Sequence, residues 1–185
     1  MKKNLSMLAV VLTLCAFGMA QAASDKKTTT SELDSAIKGM ESELVPAVEA
    51  MPEDKFAFAP TAGEFKGVRT FALQAKHVAA VNYMVAASIL GEKPPVELGG
   101  ENGPDSVKSK ADIVKFLKDS FTYVHKAIGT INDSNSLALI GSPFGEGKTT
   151  RLSMGILLAG HGFDHYGQMV EYLRMNGIIP PASRH

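Results

Sequence analysis

What this chain lacks narrows its chemistry before any motif is read. One of its 185 residues is cysteine, none is tryptophan, and only 7% are aromatic. The single cysteine, Cys15, sits inside an N-terminal apolar run. Beyond that run there is no thiol, which excludes disulfides, thiolate metal ligands and a cysteine nucleophile there. The formal charge is zero, with 19 Lys and Arg against 19 Asp and Glu. No basic cluster stands out, so nothing argues for nucleic acid as a partner. No second long apolar run argues for a membrane span, and neither an internal repeat nor a strand-rich region is visible.

What is present begins with an address. Lys2 and Lys3 precede the apolar run from Leu5 to Met19, and Ala20-Gln21-Ala22 follows as a small-x-small site. That order describes a secretory signal peptide over residues 1–22, cut after Ala22, and predicts a periplasmic or secreted protein. The run is short for an uncleaved membrane anchor. A lipoprotein signal is disfavoured because Leu14, not a small residue, precedes Cys15. Cleavage leaves 17 basic against 19 acidic side chains, a net charge of about −2. Residues 23–30 read as a flexible polar start, and 31–185 as one domain.

Four segments carry helical periodicity. Leu33, Ile37, Met40, Leu44, Val48 and Met51 recur every three or four residues after an expected N-cap at Ser31. Pro46 should kink or divide this helix, and Pro52 ends it. A second helix is expected from Glu64 to Leu90, stopping at Gly91, with His77 on the apolar stripe between Leu73 and Val81. A third is expected from Ser109 to Ile131, with Ile113, Phe116, Leu117, Phe121, Val124 and Ile128 inward. The fourth runs from Thr150 to Met175, with Gly177 as its stop. Between them lie two long irregular stretches, 91–107 and 132–149, the second with a short extended piece at Leu137–Ile140. The pattern predicts an all-α, antiparallel-type four-helix bundle with long connecting loops.

Two stretches invite a chemical reading. Gly145-Glu146-Gly147-Lys148-Thr149-Thr150 ends like a phosphate-binding loop. The full motif needs glycine where Ser142 stands, and it belongs after a buried strand. A glycine-rich turn feeding a helix explains it better. The other stretch is His161-Gly162-Phe163-Asp164-His165-Tyr166-Gly167-Gln168. At i,i+4 the two histidines leave one helix face a turn apart, close enough to share an ion.

His77 is the other histidine on an apolar stripe. One ligand from one helix and an i,i+4 pair from another make a three-point metal site in a bundle. Three imidazoles leave a position open, the pattern of a catalytic metal. The donor set suits zinc, nickel, copper or iron. The competing reading is that buried histidines are simply satisfied by protein partners. His125 is expected toward solvent and His185 at a mobile end. Asp164 points about 100° away from His165 on an ideal helix, as a surface carboxylate or an outer partner of the site. Gln168, one turn on, is placed to hydrogen-bond near it. Methionines at core spacing give no reason for a methionine copper site.

These residues resemble the DinB/YfiT-like metalloenzyme family. Its members combine a histidine on the second helix with His-x-x-x-His-x-Gly-Gln on the fourth, then Tyr-Leu-Arg and a glycine. Here the corresponding residues are His77, then His161 to Gln168, Tyr172-Leu173-Arg174 and Gly177, with Pro60-x-x-x-Glu64 ahead of the second helix. The resemblance spans about Ser31 to Ala182. It implies a four-helix bundle holding a divalent ion on His77, His161 and His165, with zinc or nickel first and iron, copper or manganese as alternatives. It further implies metal-dependent transferase or hydrolase chemistry on a small molecule, with a low-molecular-weight thiol as a partner. The alternative is an exported metal-binding or stress-related bundle without turnover. An exported chain departs from a mainly cytoplasmic family. The oligomeric state is open, a homodimer included.

Overall fold

The computed structural model describes residues 27–184. The expected signal peptide lies outside the described residues. Within them, four long helices pack around one core: α1 (Thr29–Ala50), α2 (Phe71–Leu90), α3 (Lys110–Ile128) and α4 (Arg151–Met175). A short antiparallel hairpin, β1 (Leu139–Gly141) with β2 (Lys148–Thr150), precedes α4, and single 3-10 turns occupy Glu53–Lys55 and Pro181–Ser183. The chain is thus all-α with a minor hairpin. None of these helices is long and apolar enough to cross a membrane.

Local chemistry accounts for the boundaries. α1 starts two residues before the expected Ser31, because Thr28 and Ser31 form a reciprocal capping box. Thr29 is also held, its backbone N–H donating to Asp133 at 2.8 Å, so the expected polar start is helical from Thr29. Pro46 lies inside α1 without dividing it. α2 begins at Phe71, seven residues after the expected Glu64. Gly63 and Gly67 adopt positive φ, which breaks the helix there, and the Thr70 side chain caps the true start by accepting from Leu73 N–H. Ser109 caps α3 and Thr150 caps α4 in the same way.

Each helix packs chiefly against two others, in the ring order α1–α3–α2–α4. Helices consecutive in sequence, α1 with α2 and α3 with α4, therefore lie across the bundle rather than side by side. Short loops force consecutive helices to be neighbours; the long connections 51–70 and 129–150 remove that constraint. α2 is buried on nearly every face, and its run of alanines lets neighbouring helices come close. The core is continuous, built from Ile37, Met40 and Leu44 of α1, Val78 and Val85 of α2, Leu117 and Phe121 of α3, and Leu158 and Leu173 of α4.

The phosphate-loop look-alike is resolved as a hairpin arm. Lys148 pairs with Gly141 and Thr149 with Ile140, and Ser88 Oγ at the end of α2 donates to the Gly141 carbonyl at 2.7 Å. The extended piece expected at Leu137–Ile140 falls at Leu139–Gly141 instead.

Candidate metal centre

α2 and α4 face each other, and their facing residues include all three histidines of the expected site. His77 and His165 are buried, and His161 is half-buried. His161 Nε2 lies 3.1 Å from His77 Nε2 and 3.1 Å from His165 Nε2. Ligand atoms of the three all fall within 4.8 Å of one another, a grouping that could hold a metal ion. Tetrahedral coordination by nitrogens at 2.0–2.1 Å would put neighbouring donors about 3.3 Å apart, close to what is seen.

The outward ring nitrogens set which atoms face inward. His77 Nδ1 meets the Glu101 carbonyl at 2.5 Å. A carbonyl only accepts, so Nδ1 carries the proton and Nε2 presents its lone pair to the centre. His165 Nδ1 meets Gln74 Oε1, again leaving Nε2 bare. His161 can offer one Nε2–H at most, so at least one of the two lone pairs facing it has no protein donor. Its own Nδ1 is buried without a partner among the described residues. Three nitrogen donors converging without enough protons between them is an arrangement a cation would satisfy and the protein's own hydrogen bonds do not.

Electrostatics favour the same form. Burial pushes all three imidazoles below their usual range, His161 to about 4 and His165 to about 3. The neighbouring histidines add to this for His161 and His165. The Arg69 guanidinium acts on all three in the same direction, while the Glu101 carbonyl opposes it at His77 and Asp164 opposes it at His161. At neutral pH the three rings are uncharged, the protonation state a metal ligand needs.

Close packing seats α4 against α1. Gly162, between the two α4 histidines, meets α1 so tightly that an added Cβ would fall 2.3 Å from Met40 Sδ. The connection after α2 is drawn onto the site by three side chains of or near that helix. Besides His77, Lys76 Nζ donates to the Pro104 carbonyl at 2.8 Å, and Arg69 Nε donates to Asn102 Oδ1 at 2.8 Å. Gly103, at φ +74, lies directly against the Lys76 side chain, where a Cβ would come within 3.0 Å. A small apolar cavity of about 140 Å³ opens beside this connection, lined by Ala80, Val81, Met84, Leu98, Gly100 and Glu101.

Other sequence candidates fall elsewhere. His125 lies on the seam between α3 and α1, bonded to Asp34 at 2.6 Å and Glu41 at 3.0 Å, and does not join the three. Instead of simply facing solvent it is held between two carboxylates. Asp164 is exposed and accepts from Gln168 Nε2 at 3.1 Å, and Gln168 Oε1 accepts from Gln74 Nε2 at 2.9 Å. Gln74, Arg69 and the Glu101 carbonyl were not among the residues singled out in the sequence. Gln74 had a signal, standing three residues before His77 on the same helical face. A backbone carbonyl 24 residues downstream had none.

A bundle whose facing helices bring three imidazole nitrogens together defines a class, the helical-bundle proteins with a histidine-rich centre. A family model for the DinB superfamily matches residues 36–169, and the chain belongs to that superfamily. Its fold is similar to that of a crystal structure of a DinB-like protein from Bacillus cereus ATCC 10987, with a TM-score of 0.58 and 16% sequence identity. That similarity covers 77% of this chain and 89% of the other. No curated protein matches the chain.

Proposed function

We propose that this protein binds a divalent transition-metal ion through the Nε2 atoms of His77, His161 and His165, and uses it on a small molecule. The observation that carries the reading is the convergence of three imidazole nitrogens, with His161 Nε2 at 3.1 Å from each of the other two and too few protons among them. Zinc or nickel suits this donor set best, with iron, copper or manganese as alternatives.

Bound there, such an ion supplies Lewis-acid chemistry, lowering the pKa of a water or thiol in its open position. The chain's own residues would prepare that position. The Glu101 carbonyl and Gln74 hold two of the rings with their lone pairs inward. Arg69, whose charge acts on all three rings, would favour hydroxide or thiolate over its protonated form, an effect its 3.4 Å ion pair with Glu101 partly offsets. Arg69 is itself placed by Asn102 through its side chain and by Tyr172, whose hydroxyl donates to the Arg69 carbonyl at 3.2 Å. Lys76, His77 and Arg69 clamp the connection after α2 beside the site. The reaction this supports is transfer to, or hydrolysis of, a small electrophile, with a low-molecular-weight thiol as a candidate co-substrate. We further infer export through residues 1–22, which cell fractionation of the full chain would test.

Elemental analysis of protein purified without a histidine tag decides the metal reading. One equivalent of a divalent metal, lost in His161→Ala, is expected. Absence of metal together with no uptake of added zinc or nickel would overturn it. Turnover of electrophiles with thiol acceptors, abolished by chelator and restored by metal, is expected of an enzyme. Metal binding without any such turnover would favour a non-catalytic metal-binding role.

A further inference from the structure

We propose that Asp164 is a positioning residue of the metal centre, acting through Gln168 and Gln74 to set the tautomer of His165. The inference rests on the metal-binding reading given above. Asp164 is exposed on the outer side of α4, and its hydrogen bond goes to Gln168, away from the three rings.

The argument is one of hydrogen-bond direction. A side-chain amide can present either its oxygen or its nitrogen to a neighbour, and a neutral imidazole can carry its proton on either nitrogen. A chain made only of such groups has no preferred polarity. This chain ends on a carboxylate, which only accepts. Asp164 Oδ2 therefore receives the Gln168 Nε2 amide at 3.1 Å, which turns Gln168 Oε1 toward Gln74. Gln74 must then offer Nε2 to it, at 2.9 Å, which turns Gln74 Oε1 toward His165. An oxygen facing Nδ1 requires a proton there, and His165 Nε2 is left bare and aimed at His77 and His161. Each step is forced by the one before, and the only group that cannot reverse is Asp164.

The inner part of the relay is well protected. Gln74 is 2% exposed and His165 6% exposed, so water does not substitute for either partner between them. The spacing is set by helix geometry. Asp164 and Gln168 are at i,i+4 on α4, one turn apart along the outer edge, and Gln74 reaches across from α2 to close the line. His77 reaches the same inward-facing state by a different route, through a backbone carbonyl that needs no such polarising end. His161 has neither, since its Nδ1 is unpartnered.

Two measurements on the full-length mature protein test this, zinc affinity by calorimetry and the His165 tautomer by 15N-resolved NMR of the metal-free state. Asp164→Ala is expected to replace the Nδ1–H form of His165 by a mixture of tautomers. It should weaken zinc binding on the order of tenfold, the lower end of what loss of an outer partner costs. Thermal stability of the metal-free protein should stay at wild-type level, because the residue is exposed. Adding Gln168→Glu to Asp164→Ala restores the net charge and places an accept-only carboxylate directly opposite the Gln74 amide. It should recover both the tautomer and the affinity. A mere through-space charge effect would change affinity without changing the tautomer, and that result would overturn the proposal. So would Asp164→Ala with wild-type tautomer and affinity, or a double variant that recovers neither. If the wild type takes up no zinc yet its His165 tautomer depends on Asp164, the relay stands and the metal-binding reading falls.

Discussion

His77 and His161 stand Nε2 to Nε2 at 3.1 Å, although 84 positions separate them in the chain. With at most one proton to share among three converging ring nitrogens, helix packing rather than a full set of hydrogen bonds holds them together. The bundle pays to keep them there, and the consequences can be measured.

Removing His161 should cost little in the metal-free protein and much in the loaded one. Its ring is half-buried and its Nδ1 has no partner, so His161→Ala is expected to change metal-free stability by no more than about 1 kcal/mol. Wild-type protein in zinc at a hundred times its Kd should gain about 2.7 kcal/mol over the metal-free form. His161→Ala should lose most of that gain. Thermal unfolding with and without zinc reads both quantities; equal zinc stabilisation in the two proteins would contradict the assignment.

Gly162→Ala tests the seat rather than the ligands. Its Cβ would fall 2.3 Å from Met40 Sδ and 2.5 Å from Met40 Cε, and α1 and α4 must part or Met40 must move. Overpacking of this kind costs about 1–3 kcal/mol. Urea unfolding should show that loss, whereas Gly160→Ala, with nothing within 4 Å of its Cβ, should be neutral or slightly stabilising.

The interior hydrogen bond between α2 and α3 gives a third expectation. Asn82 Nδ2 donates to Ser120 Oγ at 3.1 Å, and Ser120 Oγ donates to the Leu117 carbonyl at 2.6 Å. Asn82 is 1% exposed and Ser120 fully buried. Ser120→Ala strands the Asn82 amide and should destabilise by about 1–3 kcal/mol. The double change Asn82→Ala with Ser120→Ala should cost less than the sum of the singles in a double-mutant cycle.

The acid limb of stability should respond to Lys38. Its ammonium, 2.6 Å from Asp34, is the main influence holding that carboxyl below its ordinary value of 3.8, with His125 adding to it and burial opposing. A carboxyl with a lowered folded pKa binds fewer protons folded than unfolded. Its contribution is therefore complete above about 3.8 and disappears as the pH falls through the folded value. Lys38→Met should remove a small stabilisation at pH 7, small because the pair is partly exposed, and the difference from wild type should shrink as the pH falls through the folded value of Asp34. A difference that stays constant into the acid range would show that Asp34 does not depend on this partner.

Much of the bundle could be read directly. The stripe Ile113, Phe116, Leu117, Phe121, Val124 and Ile128 is inward in α3 as its spacing requires, and the caps Ser109 and Thr150 stand where small polar residues precede apolar periodicity. α2 was harder, because the residues ahead of Phe71 carry no strong breaker except two glycines whose positive φ is realised only in the folded loop. Pro46 does not divide α1, which runs through it as one helix.

The i,i+4 pair His161 and His165 follows from the sequence alone, because the pitch of a single helix determines which of its residues share a face. So does the apolar setting of His77. What the sequence could not determine is any relation between helices. That His77 meets His161 at 3.1 Å, that the Glu101 carbonyl turns its ring inward, and that Asp164 reaches His165 through two amides on two helices all depend on tertiary packing. The long connections leave the ring order α1–α3–α2–α4 free of any short-loop constraint. Only the burial of the four apolar faces together, with Gly162 pressed against Met40, selects the arrangement in which three nitrogens converge.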